Sequence, residues 1–406
     1  MSVVRARNAR LLRRLVLTPT PEMVESFDAA SPIEIVQTVL DARPSSMEHS
    51  ELNTESDHWA PTKWWLTRMA DPGAGLDERL VWFWHGHLTS GLDKSGPAPM
   101  NRQLALLRRH ARGDFRELLR EITLDPAMLR WLDGSGSDVE APNENYAREL
   151  MELFALGRDS GAYTEADVSA GAKALAGYWV NENDGSELTV EFEPEGALRR
   201  PVRFLGAQVS DVDGVIDTVC DRAECAEHVA AAMFEHFIGG QLDPGTRRRL
   251  ADTFRSSNLN VDTLVRRLLT EPAFLDGPAL RPRSALEWFL SFQQLVSAPI
   301  EMWALESMGQ APLNPPNVAG WPGTERWASA GMTLNKGQIA VDHSWDTDTL
   351  DRNDPVTDLL RRAVLYEVSP QTRAVLDELA AAAPSRRDQS SMLHAAIAMS
   401  PEFSLI

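Results

Sequence analysis

The fold is decided by one stretch of the chain, Asn143-Glu144-Asn145-Tyr146-Ala147-Arg148-Glu149-Leu150-Met151-Glu152-Leu153-Phe154-Ala155-Leu156-Gly157. At about 100° per residue, the apolar side chains of this stretch fill one arc of a helix. The charged side chains Glu144, Arg148, Glu149 and Glu152 fill the opposite arc. The pattern predicts a helix that Asn143 caps and Gly157 ends, with one buried face and one charged face.

Helical signals dominate on both sides of this stretch. Ser31-Pro32-Ile33-Glu34 forms a capping box with proline at the first helical position, and Thr164 caps a helix that runs to about Gly177. Residues 187–193 (Glu-Leu-Thr-Val-Glu-Phe-Glu) instead alternate at period two, and Val202-Arg203-Phe204 follows. We therefore expect an all-α, mainly α, multi-helix globular body with one small β-hairpin near residues 187–205.

The domain organisation follows from an acidic, turn-rich linker at residues 343–355. Residues 1–345 are predicted to form the main helical domain, with the hairpin near 187–205 as an insertion. Residues 346–406 are predicted to form a C-terminal helical segment that packs on the same body.

Composition excludes two classes of partner. The chain has 406 residues, with 40 Lys and Arg against 59 Asp and Glu, which gives a net charge of −19. Such an acidic balance argues against nucleic acid or an anionic membrane, because neutralising phosphates requires clustered Lys and Arg. No apolar run approaches the roughly 18 residues that span a membrane, so no membrane span is expected.

The N-terminus and the cysteines bear on the compartment. Residues 1–21 carry five arginines and no acid, but only Leu15-Val16-Leu17 follows as an apolar stretch. This favours an amphipathic first helix over a signal peptide and predicts a cytoplasmic location. Cys220 and Cys225 are five residues apart, a spacing that does not bring two side chains together on one helix. We expect two buried free thiols, with a disulfide as the alternative.

Trp82-Phe83-Trp84-His85-Gly86-His87 is the first segment that could carry chemistry. On a helix, His85 and His87 point about 200° apart, so at most one of them faces a given pocket. One interpretation gives one histidine a ligand or acid–base role. The other makes both of them buried histidines that are hydrogen-bonded to backbone or carboxylate groups.

The charged face of residues 144–152 also has two interpretations. It is a solvated face if Glu144–Arg148 and Arg148–Glu152 form i,i+4 pairs, each of which contributes tenths of a kcal/mol. It is functional if it borders a pocket, where neighbouring carboxylates raise each other's pKa and Arg148 orients one of them. A further segment, residues 314–323 (Asn-Pro-Pro-Asn-Val-Ala-Gly-Trp-Pro-Gly), is predicted to be rigid and irregular and to serve either packing or binding.

These segments together resemble a large bacterial family, the domain of unknown function family 1800. The resemblance rests on residues 143–157 and on the Tyr-Thr-Glu-Ala-Asp-Val that begins at Tyr163. Phe83-Trp84-His85-Gly86-His87, the Pro-Asn-Val-Ala-Gly-Trp that ends at Trp321, and Ser400-Pro401-Glu402-Phe403 follow the family order, so the resemblance covers nearly the whole chain.

The resemblance implies that the charged arc is more than a solvated face and that His85 or His87 approaches it. The resemblance does not identify a reaction, and any cofactor or metal is unknown. Many members are encoded beside a second family that resembles sulfatases and alkaline phosphatases, so a protein partner is one implication. Similar members carry a His-Asp pair and a Lys before a Phe-Leu-Gly; here Ala197-Leu198 and Val202 stand at those positions.

Two hypotheses of function follow. The first is an enzyme of unknown reaction, hydrolytic or metal-assisted, that acts on a small molecule or a polymer. In it, His85 or His87 serves as ligand or acid–base group, the carboxylates Glu144, Glu149 and Glu152 serve as ligands or base, and Arg148 orients them. The second is a non-catalytic helical scaffold or partner protein, in which the same Glu/Arg helix is a structural ion-pair network.

Overall fold

A computed structural model describes residues 3–44, 57–182, 188–278, 281–297, 299, 301–344, 350 and 353–406. Helices make up most of this part of the chain, as predicted. In the first 160 residues they are Val3–Leu15, Pro21–Ser26, Pro32–Asp41, Ala60–Ala70, Pro72–Ala74 (3₁₀), Gly75–His87, Leu92–Ser95, Pro97–His110, Phe115–Thr123, Pro126–Trp131, Asn145–Glu149 and Leu150–Ala155 (π). Next come Glu165–Ala174, Val212–Cys220, Ala223–Phe237, Pro244–Ser256, Val261–Leu269, Pro272–Leu275 and Ala285–Val296. The last are Met302–Ser307, Thr324–Ala328 (3₁₀), Ala330–His343, Pro355–Arg362, Pro370–Ala382, Arg386–Met399 and Pro401–Ser404.

The strands of the described residues form two small antiparallel pairs. Tyr178–Glu182 pairs with Leu188–Phe192, with Val180 opposite Val190. Val202–Phe204 pairs with Ala207–Val209. The mainly α fold class with a small hairpin is confirmed, but the two strands predicted from sequence do not pair with each other. Each instead pairs with its nearest extended neighbour, because a short turn closes a hairpin at a lower entropic cost than a long one.

Local capping explains where the helices start. Ser31 and Thr164 each accept from the backbone at the third helical residue and are capped in return by Glu34 and Asp167. Within residues 143–157 the helix starts at Asn145. Asn143 precedes it, and its side chain accepts a hydrogen bond of 2.8 Å from the Asn145 N–H. The second half of that helix widens into a π-helix over Leu150–Ala155.

The first helix, Val3–Leu15, lies in the core and not on the surface. Its apolar face, which includes Leu11, Leu12 and Leu15, is fully buried. Its charged side does meet acidic residues at one end, where Arg5 pairs with Asp28. Arg14 is buried and donates to the backbone oxygens of Phe274 and Pro278. The basic helix is therefore held by both carboxylates and carbonyls.

The C-terminal residues contact the central helices. The indole of Trp288 donates to the carbonyl of Ala398 at 2.9 Å. Arg281 and Ile406 exchange backbone hydrogen bonds of 3.2 and 2.9 Å. The predicted boundary at residues 345–346 lies outside the described residues, so the division into a main domain and a packed C-terminal segment stays a prediction.

The two cysteines are free and buried. Cys220 ends the helix Val212–Cys220 and Cys225 lies in the first turn of Ala223–Phe237. Because they belong to two helices, the tight turn between them brings the thiols within hydrogen-bonding contact, which raises the pKa of Cys225. In the part of the chain that the structure describes, no helix has both the length and the apolar character needed to cross a membrane.

Candidate functional site

Two helices and one loop form the candidate site. We call Gly75–His87 the histidine helix, Ala223–Phe237 the cleft helix and residues 314–323 the tryptophan loop. The histidine helix is almost entirely buried. The cleft helix is apolar on one face, but it carries His228, Glu235 and His236 at spacings that place them along a neighbouring face.

His85 anchors the tryptophan loop from inside the core. The backbone N–H of Leu313 donates to His85 Nε2 at 3.2 Å, so that ring nitrogen is unprotonated. Burial lowers the pKa of His85 to about 3, which keeps the imidazole neutral. Leu313 has a φ of 62°, an uncommon conformation for a residue with a side chain. The bond to His85 and the bond from Leu92 N–H to the Leu313 carbonyl hold it there.

His87 contacts the end of the π-helix. Its Nε2 lies 2.8 Å from the carbonyl oxygen of Phe154, and His228 Nε2 lies 2.7 Å from the carbonyl oxygen of Leu153. The last carbonyls of a helix have no partner within the helix, so the two imidazole N–H groups satisfy them. A carbonyl only accepts, so both rings carry their proton on Nε2 and a lone pair on Nδ1. The two ring centroids are 5.6 Å apart.

The pKa of His87 is lowered to about 3, by burial first and by the neighbouring His228 second. The hydrogen bond to Phe154 opposes this shift without overcoming it. His87 is therefore a neutral, orientationally fixed imidazole at neutral pH. Its ring stacks on Phe83 with an interplanar angle of 15°.

The tryptophan loop closes over the histidine helix. Gly320 has a φ of 75°, and a Cβ at this position would lie 2.8 Å from the carbonyl oxygen of Gly86. Only glycine permits both the conformation and the approach. The next residue, Trp321, packs its ring 4.9 Å from the ring of Trp82. The loop that was predicted to be rigid thus serves packing and also forms a wall of the cavity.

A cavity of about 230 Å³ lies between these elements. Aromatic side chains form much of its wall, and a few polar side chains converge on it, as is typical of small-molecule sites. The lining residues are Trp82, Phe83, Gly86, His87, Ala232, Glu235, His236, Arg281, Ser284, Glu287, Gln310, Trp321, Pro322, Gly323, Thr324 and Trp327.

A larger open groove of about 1190 Å³ adjoins the cavity. The two share residues from the cleft helix and from the end of the tryptophan loop, including Glu235, Pro322 and Gly323. His228, Arg247 and Arg326 line the groove alone. The cavity and the groove are thus adjoining parts of one cleft.

A buried ion-pair network forms one side of the cavity. Glu287 is 2% exposed and accepts from Arg79 at 2.7 Å and from Arg281 at 2.6 and 2.9 Å. It also accepts from the backbone of Ser284, which starts the helix Ala285–Val296. Burial alone would raise the pKa of Glu287, but the two guanidinium groups hold it well below its usual value. Glu287 is therefore ionised.

The six residues predicted from sequence do not share one set of contacts. His87 lines the cavity, whereas His85 is buried behind it with the rings of Trp65, Trp82 and Trp321 around it. Among the described residues, His87 contacts the helix of residues 145–155 through the backbone carbonyl of Phe154 and not through a carboxylate. The roles assigned to the six side chains stay predictions.

The charged face of that helix has its own set of ion pairs. Arg148 donates to both oxygens of Glu165 at 2.8 Å and to Glu144 at 3.2 Å, and it lies 3.9 Å from Glu152. Glu152 also accepts from Arg158 at 3.0 Å. These side chains are partly to largely exposed.

Glu149 differs from the other carboxylates of this face. Its Oε2 is buried and has no hydrogen-bond partner among the described residues. Burial first, and the charge of Glu152 second, raise the pKa of Glu149. Glu149 is thus the carboxylate of this face that is least suited to being charged.

Sequence reasoning missed most of the cavity. Glu235, His236, Arg281, Ser284, Glu287 and Gln310 line it but were not predicted. One signal was available, because Glu235 and His236 interrupt the apolar run that begins at Val229 and ends at Phe237. Ser284 and Glu287 form a capping box, a pattern that indicates the start of a helix and does not indicate a functional site. Arg281 precedes that helix in an irregular segment, where no sequence period marks it.

Ala197 and Leu198, which stand where the resemblance places a His-Asp pair, lie between the two strand pairs. Ala197 is buried, and a side chain on Gly177 would lie 2.9 Å from its Cβ. Within the described residues, no group of three or more His, Cys, Asp and Glu side chains is placed to hold a metal ion.

The fold and the cavity define a mainly α-helical protein with an aromatic-walled pocket that His, Glu and Arg side chains also line. Residues 10–405 match the family model described as "Protein of unknown function (DUF1800)", so the chain belongs to this family. No curated protein and no solved structure matches the chain.

Proposed function

We propose that the protein is an enzyme that performs acid–base chemistry on a small molecule in the cavity, with His87 as the base. One observation carries the proposal: His87 borders the cavity, and its hydrogen bond to the Phe154 carbonyl fixes the tautomer. The lone pair is thereby assigned to Nδ1. A fixed neutral imidazole with a free lone pair can accept a proton from a substrate or from a water molecule.

The surroundings of His87 supply a second proton-transfer group and a binding surface. The carboxylate of Glu235 belongs to both the cavity and the groove, at the position where a substrate would pass from one to the other. Trp82, Trp321 and Trp327 offer flat apolar surfaces to an organic substrate. Since the pKa of His87 is low because of burial, a negative charge on the substrate would raise it toward the working pH.

A hydrolytic reaction is the form of this proposal that is simplest to test. Wild-type protein should be assayed against chromogenic carboxylic esters, phosphate monoesters and amides. The matched variants are His87→Gln, whose amide can still donate to Phe154, and Glu235→Gln. His58→Gln is the control, because His58 is exposed and remote in sequence from both helices. We expect at least a 100-fold lower kcat in His87→Gln and wild-type turnover in the control. Turnover that survives in His87→Gln and in Glu235→Gln would contradict the proposal.

A non-catalytic scaffold is the second candidate, and the Glu/Arg face favours it. Arg148 is paired with Glu144 and Glu165, and Glu152 with Arg158, as expected for a network that fixes neighbouring segments. This candidate predicts that Arg148→Gln alters packing without affecting any turnover. Amide hydrogen exchange of residues 144–168 in that variant, beside the activity assay, separates the two candidates.

We further propose a cytoplasmic location and no nucleic-acid partner. The two free thiols support the location, because reduced cysteines are typical of a reducing compartment. The net charge of −19 supports the second statement. A protein partner is a further proposal, which rests on the family resemblance. Fractionation of the producing cells, with detection of the protein in the cytoplasmic fraction, would test the location.

A further inference from the structure

Buried positive charge is in excess around Glu287, one of the residues that line the cavity. Arg79, Arg281, Arg283 and Lys336 are each at most 4% exposed. Within the described residues, the ion pairs of Arg79 and Arg281 both end on Glu287. A single buried carboxylate thus serves two guanidinium groups, and two more buried cations lie close enough for their charges to interact with it.

Glu287 has no capacity left for the other cations. Its Oε1 accepts from Arg79 and Arg281, and its Oε2 accepts from Arg281 and from the Ser284 backbone. Arg283 instead lies over the ring of Phe403, 4.7 Å from its centroid, and its Nη1 has no hydrogen-bond partner among the described residues. Lys336 approaches a neutral carbonyl, that of Trp327. Buried charge without a counter-ion is unfavourable, so this arrangement favours an anion nearby.

Three lining residues carry buried nitrogens that lack partners in the described part of the chain. They are Arg281 Nε, His236 Nε2 and Trp321 Nε1. The guanidinium and indole nitrogens can only donate, so their natural partner is an oxygen acceptor. Buried polar groups are almost always hydrogen-bonded in folded proteins, so these three nitrogens are available to a polar atom of a bound molecule or ion.

The pKa values of His236 and Lys336 are lowered by burial and by these same buried cations. Burial is the largest cause that lowers the pKa of His236, and the charges of Arg79 and Arg281 add to it. The pKa of Lys336 is lowered to about 8, by burial first and by Arg283 second. The charged groups that act on the pKa of His236 are thus Arg79, Arg281 and Glu287. Glu235, the residue before His236, also lines the cavity.

We propose that the cavity binds the oxyanion group of the substrate, a carboxylate or a phosphate, on the side formed by Arg281, His236 and Trp321. This inference rests on the proposed function and names the substrate class of the same site. A volume of about 230 Å³ suits such a group with a few attached atoms. The rest of a larger substrate extends into the groove beside Arg247 and Arg326.

Calorimetric titration of the whole protein tests the proposal. Inorganic phosphate and acetate are the two anionic probes, and trimethyl phosphate and acetamide are their neutral counterparts, all at one ionic strength. We expect saturable binding of at least one anion and of neither neutral probe. Arg281→Gln should weaken that binding at least 10-fold. Trp321→Phe, which removes the indole N–H and replaces the indole by a smaller aromatic ring, should weaken it about 3-fold or more. Arg255→Gln is the matched control, since Arg255 is half exposed and pairs with Asp252 on the surface.

Two results would overturn the proposal. One is the absence of saturable anion binding to folded wild-type protein at millimolar concentrations. The other is anion binding that is unchanged in Trp321→Phe, a variant that keeps the buried Arg281–Glu287 pair and so tests the site even if Arg281→Gln fails to fold. Circular dichroism verifies the fold of each variant.

His87→Gln separates this inference from the proposed function. Anion binding that persists in His87→Gln while turnover is lost supports both. Anion binding without any effect of His87→Gln on turnover overturns the proposed function alone. Turnover of a neutral substrate that depends on His87, with no anion binding, overturns the oxyanion site alone.

Discussion

His87 Nε2 lies 2.8 Å from the carbonyl oxygen of Phe154, and this bond joins the histidine helix to the end of the π-helix. The imidazole N–H donates to a carbonyl at the helix end, where carbonyls have no partner within the helix. This bond also assigns the lone pair of the imidazole to Nδ1. The residues that were most visible in the sequence, the Glu/Arg face, pair with one another and with Glu165 and Arg158. The following predictions test this arrangement and its surroundings.

His87 should contribute to stability through the bond to Phe154. His87→Ala leaves a buried carbonyl without its donor, so we expect the free energy of unfolding to fall by about 1–3 kcal/mol. His87→Gln, whose amide can donate in the same place, should lose less. Urea denaturation measures both, with His58→Ala as the exposed control, expected within about 0.5 kcal/mol of wild type. Equal losses in Ala and Gln would show that the bond is not the cause.

Stability should fall as the pH falls from 6.5 toward 3. The pKa of His87 is about 3 in the folded protein against an ordinary value of 6.5, so in this window the unfolded chain binds a proton that the folded chain does not. Between pH 3 and 6.5 the free energy of unfolding therefore rises with pH, by about 1.4 kcal/mol per pH unit for each such histidine. His85, whose pKa is also lowered to about 3, contributes in the same direction.

Between pH 4 and 6, His87→Gln should reduce the slope of the unfolding free energy against pH by about 1.4 kcal/mol per pH unit. Asp125 acts in the opposite direction, since burial raises its pKa to about 6 and the folded protein holds the proton more tightly. Because Asp125 is present in both proteins, the difference in slope isolates His87. Denaturation curves at several pH values measure it, and parallel pH profiles for the two proteins would refute the prediction.

Glu287 should be far more important for stability than the surface carboxylates. Glu287→Gln leaves Arg79 and Arg281 buried without their counter-ion, so we expect a loss of about 3–5 kcal/mol. Glu152→Gln disrupts partly exposed pairs and should cost about 0–1 kcal/mol. Chemical denaturation of the two variants checks this ranking. If the two losses are similar, the buried network does not stabilise the fold as described.

Gly320→Ala should displace the tryptophan loop. The added methyl group would lie 2.8 Å from the Gly86 carbonyl oxygen, in a conformation with φ of 75° that alanine disfavours. We expect a loss of about 1–3 kcal/mol and altered tryptophan emission, because Trp321 packs on Trp82. Gly331→Ala is the matched control, since nothing lies within 4 Å of a Cβ there. Unchanged emission in Gly320→Ala would argue against this packing.

Glu149→Gln separates a structural role from a catalytic one. The pKa of Glu149 is raised and its Oε2 lacks a partner among the described residues, so charge at this position opposes folding near pH 7. The neutral amide should leave stability unchanged or increase it by up to about 1 kcal/mol. If Glu149 is also a catalytic group, as predicted from the sequence, turnover must fall in the same variant. Parallel denaturation and activity assays give both answers.

Much of the fold could be predicted because its signals are local. The capping box at Ser31 and the helix cap at Thr164 were predicted from neighbouring residues, and both are present. The alternation at 188–192 correctly marked a strand, but its partner Tyr178–Glu182 was not recognised, because pairing depends on residues outside the pattern. The spacing of Cys220 and Cys225 was misleading for a related reason: the chain turns between them and places them on two helices.

The sequence by itself determined the fold class, the family and the segments around which the molecule is built, since helical periodicity, capping and motif order are all properties of neighbouring residues. Only the tertiary structure decided which side chains meet at the cavity. His87, Glu235, Arg281 and Trp321 come from four separate segments, and they meet because buried apolar faces bring those segments together. Packing of that kind acts between residues distant in sequence, and no local pattern records it.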